Sequence, residues 1–352
     1  MNAPLSRPKS DLRRALKTRI DQHFSESGRD PRGGRALHAK AVILLGWAAI
    51  SYGVLVFAPI PWWLGVLPAM SLGVAMAGIG FNILHDGGHG SFATRRGLNR
   101  LAARSCELLG LSSYFWHYKH NVWHHGFANV NGLDIDIDIA PLGRFSPHQP
   151  RRWWHRWQHL YMPFVYGLLE VYWTFWSDPV AIVTSRVGHH EVPRAPLREH
   201  LWFWGAKLWF VAIAIVVPLL MHDPLTWLMG FGVVMFTAGF VPSLVFQLAH
   251  VVEEAEFPEA VDGALDGEWA EHQLRTSVDL APNNRWLTWY SGGLNFQATH
   301  HLFPAIAHTH YPALSRIIAE VAEEHGIPYR CTPSLLGALR SHFRHLRRLG
   351  QA

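Results

Sequence analysis

Charge is what the sequence has least of. Asp, Glu, Lys and Arg make up 16% of the 352 residues, against about 25% in an ordinary soluble domain. Hydrophobic residues make up 49% and the mean hydropathy is +0.04, which excludes a disordered or collagen-like chain. Cysteine is nearly missing as well. Cys106 and Cys331 are the only two, too few for a disulfide framework or a cysteine-only zinc cluster. A four-cysteine iron–sulfur centre and a CxxCH haem site are excluded on the same ground. No apolar run precedes Ala41, so no signal peptide is expected. Internal repeats and low-complexity tracts are absent. No Glu stands three residues before any histidine, which removes the Glu-x-x-His signature of the soluble carboxylate-bridged di-iron bundles.

The shortage of charge is not spread evenly. The 44 residues from Ala41 to Leu84 contain no Asp, Glu, Lys or Arg, and from Leu208 to Val252 the only charge is Asp223. A bilayer span takes about 20 apolar residues, so each stretch holds two. Ala58-Pro59-Ile60-Pro61-Trp62-Trp63 breaks the first, because proline does not continue a helix and tryptophan favours the membrane interface. Met221-His222-Asp223-Pro224 breaks the second. The spans are expected near 41–58, 63–84, 201–221 and 225–249, as two hairpins. Lys207 falls near the start of the third and is expected to reach for the interface by its long stem. Core helices of a large soluble protein are the competing reading. Two nearly uncharged hairpins of this length argue against it.

Of the 31 Lys and Arg, ten lie in residues 1–40, twelve in 85–200 and eight in 250–352, with Lys207 the remaining one. The two hairpin turns have none. Positive charge marks the cytoplasmic side, so both termini and the middle segment are expected there, in a multi-pass protein of a bacterial inner membrane. The net charge of +5 is then a topology signal and an attraction to anionic headgroups; no nucleic-acid partner is expected. The expected organisation is a basic N-terminal segment (1–40), hairpin one (41–84), a middle cytoplasmic segment (85–200), hairpin two (201–249) and a C-terminal cytoplasmic segment (250–352). Within the first, Leu12, Leu16 and Ile20 share a helix face, expected to lie on the membrane. Residues 154–176, aromatics among charges, are expected to lie at the membrane surface too.

What the chain has in excess is histidine, 24 in all. Three groups flank the spans: His85 and His89; His117, His120, His124 and His125; His300 and His301. His250 closes the fourth span. Residues four apart share a helix face, so His85 with His89, and His120 with His124, can bind one metal or bracket two. Adjacent histidines diverge and can reach different ions. Eight imidazoles are too many for one open ion and suit two. Imidazole is a ligand for Zn, Cu, Fe and Ni. His117 is the doubtful member, since its group has three ligands without it. Asp86, Gln297 and Asn295 are candidates for orienting the imidazoles. So are Asp134, Asp136, Asp138, Glu253, Glu254 and Glu256, for each of which a solvated acid is the alternative. The fold expected is an all-α integral membrane protein, four transmembrane helices in two hairpins capped by a cytoplasmic helical domain with a histidine-ligated site for two metal ions.

From about residue 38 to 330 the chain resembles the membrane fatty acid desaturases, among them the front-end type (delta-5/delta-6, linoleoyl-CoA desaturase-like). The segments are HDGGHG at 85–90, KHNVWHHGFAN at 119–129, PLGRFSPHQPRRWWHRWQHLY at 141–161, QLAHVVEEAEFP at 247–258, EHQLRTSVDLAP at 271–282 and GGLNFQATHHLFP at 292–304. The resemblance implies iron ligands at His85, His89, His120, His124, His125, His250, His300 and His301, with two iron ions as cofactor. Gln297 opens the third box, as in front-end members. Ala298 and Thr299 depart from the usual Gln-Ile-Glu-His-His, and Gly126-Phe127-Ala128-Asn129 from the usual Thr-Tyr-Thr-Asn. Trp269, Gln273 and Arg275 stand in a segment that lies near the site in the family.

The activity implied is O2-dependent formation of a cis double bond in a fatty acyl chain carried on CoA or on a lipid. A saturated C–H bond resists acid–base chemistry, and reduced metal with O2 supplies the oxidant. Residues 1–40 lack the His-Pro-Gly-Gly haem motif of a fused cytochrome b5, so an external ferredoxin or cytochrome b5-like donor is expected. Two other readings stay open. A membrane di-iron hydroxylase or ketolase acting on alkane, carotenoid or sterol would share the boxes. A metal transporter would instead place its ligands near the bilayer midplane.

Overall fold

The computed structural model describes residues 11–260, 265 and 267–351; residues 1–10 of the basic N-terminal segment lie outside it. The chain divides into two compact units, interleaved in sequence. One comprises Gly33–His120 and Pro163–Leu244. The other comprises the described residues up to Arg32, Asn121–Met162, and those from Val245 on.

Among the described residues, four helices are long and apolar enough to cross a membrane: Arg35–Phe57, Val66–His89, Leu197–Met221 and Pro224–His250. They match the four expected runs and overshoot them by up to six residues, because helix continues past the point where polar residues begin. Their ends have local causes. Beyond Phe57, Ala58 turns extended while its N–H still caps Val54 O, and two prolines follow. Asp223 explains itself as an N-cap. One carboxylate oxygen accepts from the N–H groups of Leu225 and Thr226 at 3.0 and 3.1 Å, the other from the Thr226 hydroxyl at 2.6 Å. Pro224 takes the first helical position, where no N–H is needed.

Polar residues join the apolar helices. Ser71 accepts from Trp47 Nε1 at 2.7 Å and lies 2.8 Å from the Ser51 hydroxyl. Tyr52 donates to Ile213 O at 2.9 Å. At Gly73 the second helix meets the fourth so closely that a Cβ would lie 2.8 Å from Val234 O, the close approach that small residues permit. Lys207 is half-buried, and its ammonium donates to Gly110 O at 2.6 Å and Thr174 O at 2.5 Å.

Part of Val66–His89 is not α-helical. Gly80–Leu84 is wound with i→i+5 hydrogen bonds, and so is His117–His124. Such turns are rare and concentrate at functional sites. These two lead into, or contain, histidine groups, whereas Trp173–Ser177 and Ala212–Val216 are wound the same way and contain no histidine.

The second unit has its own core. Leu12, Leu16 and Ile20 on Asp11–Ser27 pack against Leu314, Ile318 and Val321 on Tyr311–Glu324, and against Ala270, Leu274, Ala298 and Leu302. The expected membrane-lying face is therefore buried in protein; an apolar stripe reads the same for either partner. Arg19 adds ion pairs to Glu320 and Glu324 at 3.0 and 3.3 Å. This core sets two short helices, Trp269–Thr276 and Gln297–Leu302, beside each other. Strand is minimal: Asp279–Leu280 pairs in parallel with Cys331–Thr332, and, in the first unit, Arg186–Val187 pairs antiparallel with His190–Glu191. The segment 141–161 staples the C-terminal helix Leu335–Gln351. Arg144 donates to Leu349 O at 2.6 Å and Gln158 to Leu346 O at 2.8 Å.

Candidate metal centre

In the first unit His85 and His89 lie one turn apart at the end of Val66–His89, and His120 comes from the second histidine group. Their ligand nitrogens lie within 4.8 Å of one another. His85 Nε2 is 3.2 Å from His120 Nε2. Imidazole–metal bonds of about 2.0–2.1 Å, as on zinc, place two nitrogens on one ion roughly 3 Å apart. Trp116 closes the cluster, its ring stacked on His120 at 4.6 Å and edge-on to His85 and His89. The two glycines between His85 and His89 are there for space. A Cβ on Gly87 would lie 2.4 Å from the backbone of Ala103, and one on Gly88 would lie 2.2 Å from the Trp116 ring.

In the second unit two further groups form: His124, His250 and His301, and His125, His300 and His301, all buried, each within 4.8 Å. Four of these rings are held from the Nδ1 side. His124 Nδ1 lies 3.2 Å from both oxygens of Asp134. His250 Nδ1 donates to Thr276 O at 3.0 Å and His301 Nδ1 to Gln273 Oε1 at 2.7 Å. His300 Nδ1 is 3.2 Å from the Tyr311 hydroxyl. An acceptor at Nδ1 fixes the proton there and leaves the Nε2 lone pair for a metal; metal-ligating histidines have this arrangement as a rule. Burial, then the neighbouring imidazoles His125, His250 and His124, push the His301 pKa well below its ordinary value, so the ring is a neutral donor. Gln297 sits between two of them, its amide 2.9 Å from His250 Nε2 and 3.2 Å from His301 Nε2. The donor set and its supports fit metal.

The structure sorts the remaining candidates. Asp134 is fully buried and also accepts from the N–H groups of Asn129 and Asp136 at 2.8 and 2.9 Å. Asp136 lies 3.5 Å from His124 Nδ1. Asp138 serves the local turn, accepting from Ala140 N–H. Asp86 is buried beside its histidines, its carbonyl capping the turn to Ser91. Asn295 donates to Leu280 O at 3.2 Å, which ties the third box to the short sheet. The Glu253 N–H donates to the Ser341 hydroxyl oxygen at 2.9 Å, Glu254 accepts from the Ser341 hydroxyl, and Glu256 pairs with Arg275 and Arg330. These three fasten the C-terminal helix and neighbouring turns. Arg275 also pairs with Glu271 at 2.5 Å, and Trp269 packs on the core under Arg13. His117 joins none of the groups and its side chain is exposed. Gln273 gains a role: besides His301, it donates to His125 O at 3.2 Å. Tyr311 and the Thr276 carbonyl carry no motif that sequence reading could have used.

Four helices of spanning length and buried imidazole clusters define the class: a helical membrane protein whose histidines can hold metal. The sequence model of the family described as fatty acid desaturase matches residues 60–333. The chain is 36% identical over 340 residues to an sn-1 linoleoyl-lipid 6-desaturase of Arthrospira platensis, covering 96% of this chain and 92% of that one. It is 34% identical to an sn-1 linoleoyl-lipid 6-desaturase of Synechocystis (98% and 97% covered) and 33% identical to an acyl-lipid (8-3)-desaturase of Physcomitrium patens (97% and 72%). The chain belongs to the fatty acid desaturase family, and it is an oxidoreductase that desaturates fatty acyl chains.

Proposed function

We propose that the protein inserts a cis double bond toward the carboxyl end of an acyl chain esterified to a membrane lipid. The names of its relatives, linoleoyl-lipid 6-desaturase and acyl-lipid (8-3)-desaturase, support the lipid carrier and the position. In this reading one CH2–CH2 unit, one O2, two electrons and two protons give CH=CH and two waters. A separate ferredoxin or cytochrome b5-like protein supplies the electrons. The eight histidines hold two iron ions, with His85, His89 and His120 contributing to one and His124, His250 and His301 to the other; His125 and His300 complete the set. Bound iron would pass electrons to O2 and so supply an oxidant strong enough to break an unactivated C–H bond. The chain's own contribution is to hold imidazoles neutral, aim Nε2 inward through Asp134, Thr276, Gln273 and Tyr311, and keep water out by burial.

The observation that carries the reading is the convergence of histidine ring nitrogens within 4.8 Å of one another in each group, four of the rings being held at Nδ1. Purified active protein should contain about two irons per chain, bound through imidazole donors suited to iron. A host supplied with linoleate should accumulate a triene with its new bond at carbon 6 in glycerolipid, read by gas chromatography. Hydroxy or keto products, or activity without iron, would refute the reading.

The location proposed is a bacterial inner membrane with both termini cytoplasmic, supported by the lack of Lys and Arg in the two turns. Reporters fused at Pro61 and Asp223 should read periplasmic, and those after Arg95 and Gln351 cytoplasmic. The same face for all four would sink it.

A further inference from the structure

The C-terminal helix Leu335–Gln351 turns Ala338, His342, His345, Leu346 and Leu349 inward. Its other face carries Arg340, Arg344, Arg347 and Arg348, all exposed, at spacings that make them neighbours on one helix surface. The short helix Trp153–Trp157 lies against its end. A Cβ on Gly350 would sit 2.1 Å from His155 O, and Arg151 Nε donates to Gly350 O at 3.0 Å. Arg347 lies close enough to His159 to join burial in lowering that imidazole's pKa. Residues nearly 200 apart in sequence thus form one surface, to which Arg151, Arg152 and Arg156 add three more exposed guanidiniums.

Two features of this surface point to its partner. The first is the absence of acid: there is no Asp or Glu from Ile139 to Leu169 or from His325 to Ala352. Of the seven exposed arginines only Arg344 has an acidic partner among the described residues, Glu253 at 3.8 Å. The second is tryptophan. Trp153 and Trp157 stand 68% and 42% exposed among the arginines, with the Arg156 guanidinium 4.1 Å over the Trp157 ring. Clustered like charges repel unless an anion faces them. Arginine recognises phosphate through a fork of donors, and exposed tryptophan favours the headgroup level of a bilayer. Nucleic acid and acidic proteins would match the charge alone; the tryptophans select the bilayer.

We propose that the arginine face of Leu335–Gln351, together with Arg151, Arg152 and Arg156, is a docking surface for the phosphate headgroups of anionic membrane lipids. Trp153 and Trp157 are its interfacial anchors. The proposal does not depend on which acyl chain is desaturated.

The test is competitive retention of phosphatidylglycerol over phosphatidylcholine by the detergent-solubilised full chain, read by native mass spectrometry. The wild type should retain phosphatidylglycerol at least about tenfold better, with the preference falling as salt rises. The triple variant Arg340→Gln/Arg344→Gln/Arg347→Gln should lose most of it, and the corresponding triple Lys variant should keep most of it. Unchanged helical circular dichroism in both variants establishes that they fold. Equal retention of the two lipids by the wild type would overturn the proposal, as would a Lys variant as defective as the Gln variant. So would a Gln variant with intact lipid preference that loses turnover only with a reduced ferredoxin, which would assign the surface to an acidic electron donor.

Discussion

His120→Ala should give no detectable double-bond product and lose bound iron, while His117→Ala keeps measurable activity. The two histidines stand three residues apart in one group, and counting the group cannot separate them. Geometry does. His120 is buried with its Nε2 3.2 Å from that of His85 and its ring stacked on Trp116, whereas His117 is exposed and joins no cluster. Removing a ligand leaves an ion short of donors; removing an outward ring removes nothing the ion needs. Between these extremes Asp134→Asn should cost about 10–100-fold in activity or metal affinity, the usual range for a group that orients a ligand. Its amide can still accept from Asn129 N–H but no longer offers His124 a charge. Iron analysis and product yield on the three variants decide the order. A dead, iron-poor His117→Ala beside a working His120→Ala would show the register to be wrong.

Gly87→Ala should be as damaging as loss of a histidine, and Gly97→Ala harmless. Both replace a helical glycine by the best helix former, a change that in open space stabilises by about 0.5–1 kcal/mol. Gly97, on Arg96–Ala103, has nothing within 4 Å of a Cβ. Gly87 faces the same helix, but its Cβ would sit 2.4 Å from Ala103 N and 2.7 Å from Ala102 C. Backbone cannot rotate aside as a side chain can, so the two helices must part. Overpacking of this kind typically costs about 1–3 kcal/mol, and here the helix that must move carries His85 and His89. The expected result is an iron-poor protein with a lowered melting temperature for Gly87→Ala, and wild-type iron content for Gly97→Ala. Wild-type iron in Gly87→Ala would mean that this close contact does not position the histidines.

The spans were legible because exclusion of charge over about 20 residues has few causes besides a bilayer. The histidine groups were legible because four-residue spacing puts side chains on one face whatever the helix packs against. The groups that orient the rings were harder. Gln273 lies 28 residues from His301, and Tyr311 lies 11 from His300; only the fold brings them together, and a backbone carbonyl such as that of Thr276 has no residue-type signature at all. Asp11–Ser27 shows a different limit. Leu12, Leu16 and Ile20 announce an apolar face without naming its partner, and the partner is protein. Lys207 was placed by sequence but not its carbonyl partners, which lie 97 and 33 residues away in the chain. The i→i+5 winding was invisible, since eight residues are too few to tell its period from that of an α-helix.

That winding uncouples the phase of the first histidine cluster from the length of the chain before it. Each residue advances an α-helix by about 100°. The turn at Gly80–Leu84 absorbs one residue more than an α-turn would. Deleting one residue there would let the segment relax into ordinary helix with His85 and His89 still facing nearly the same way. Without the wide turn, the same residue would have rotated both histidines by roughly a quarter turn about the helix axis, away from His120. The turn thus works as a slack link between the apolar helix and the chemistry at its end.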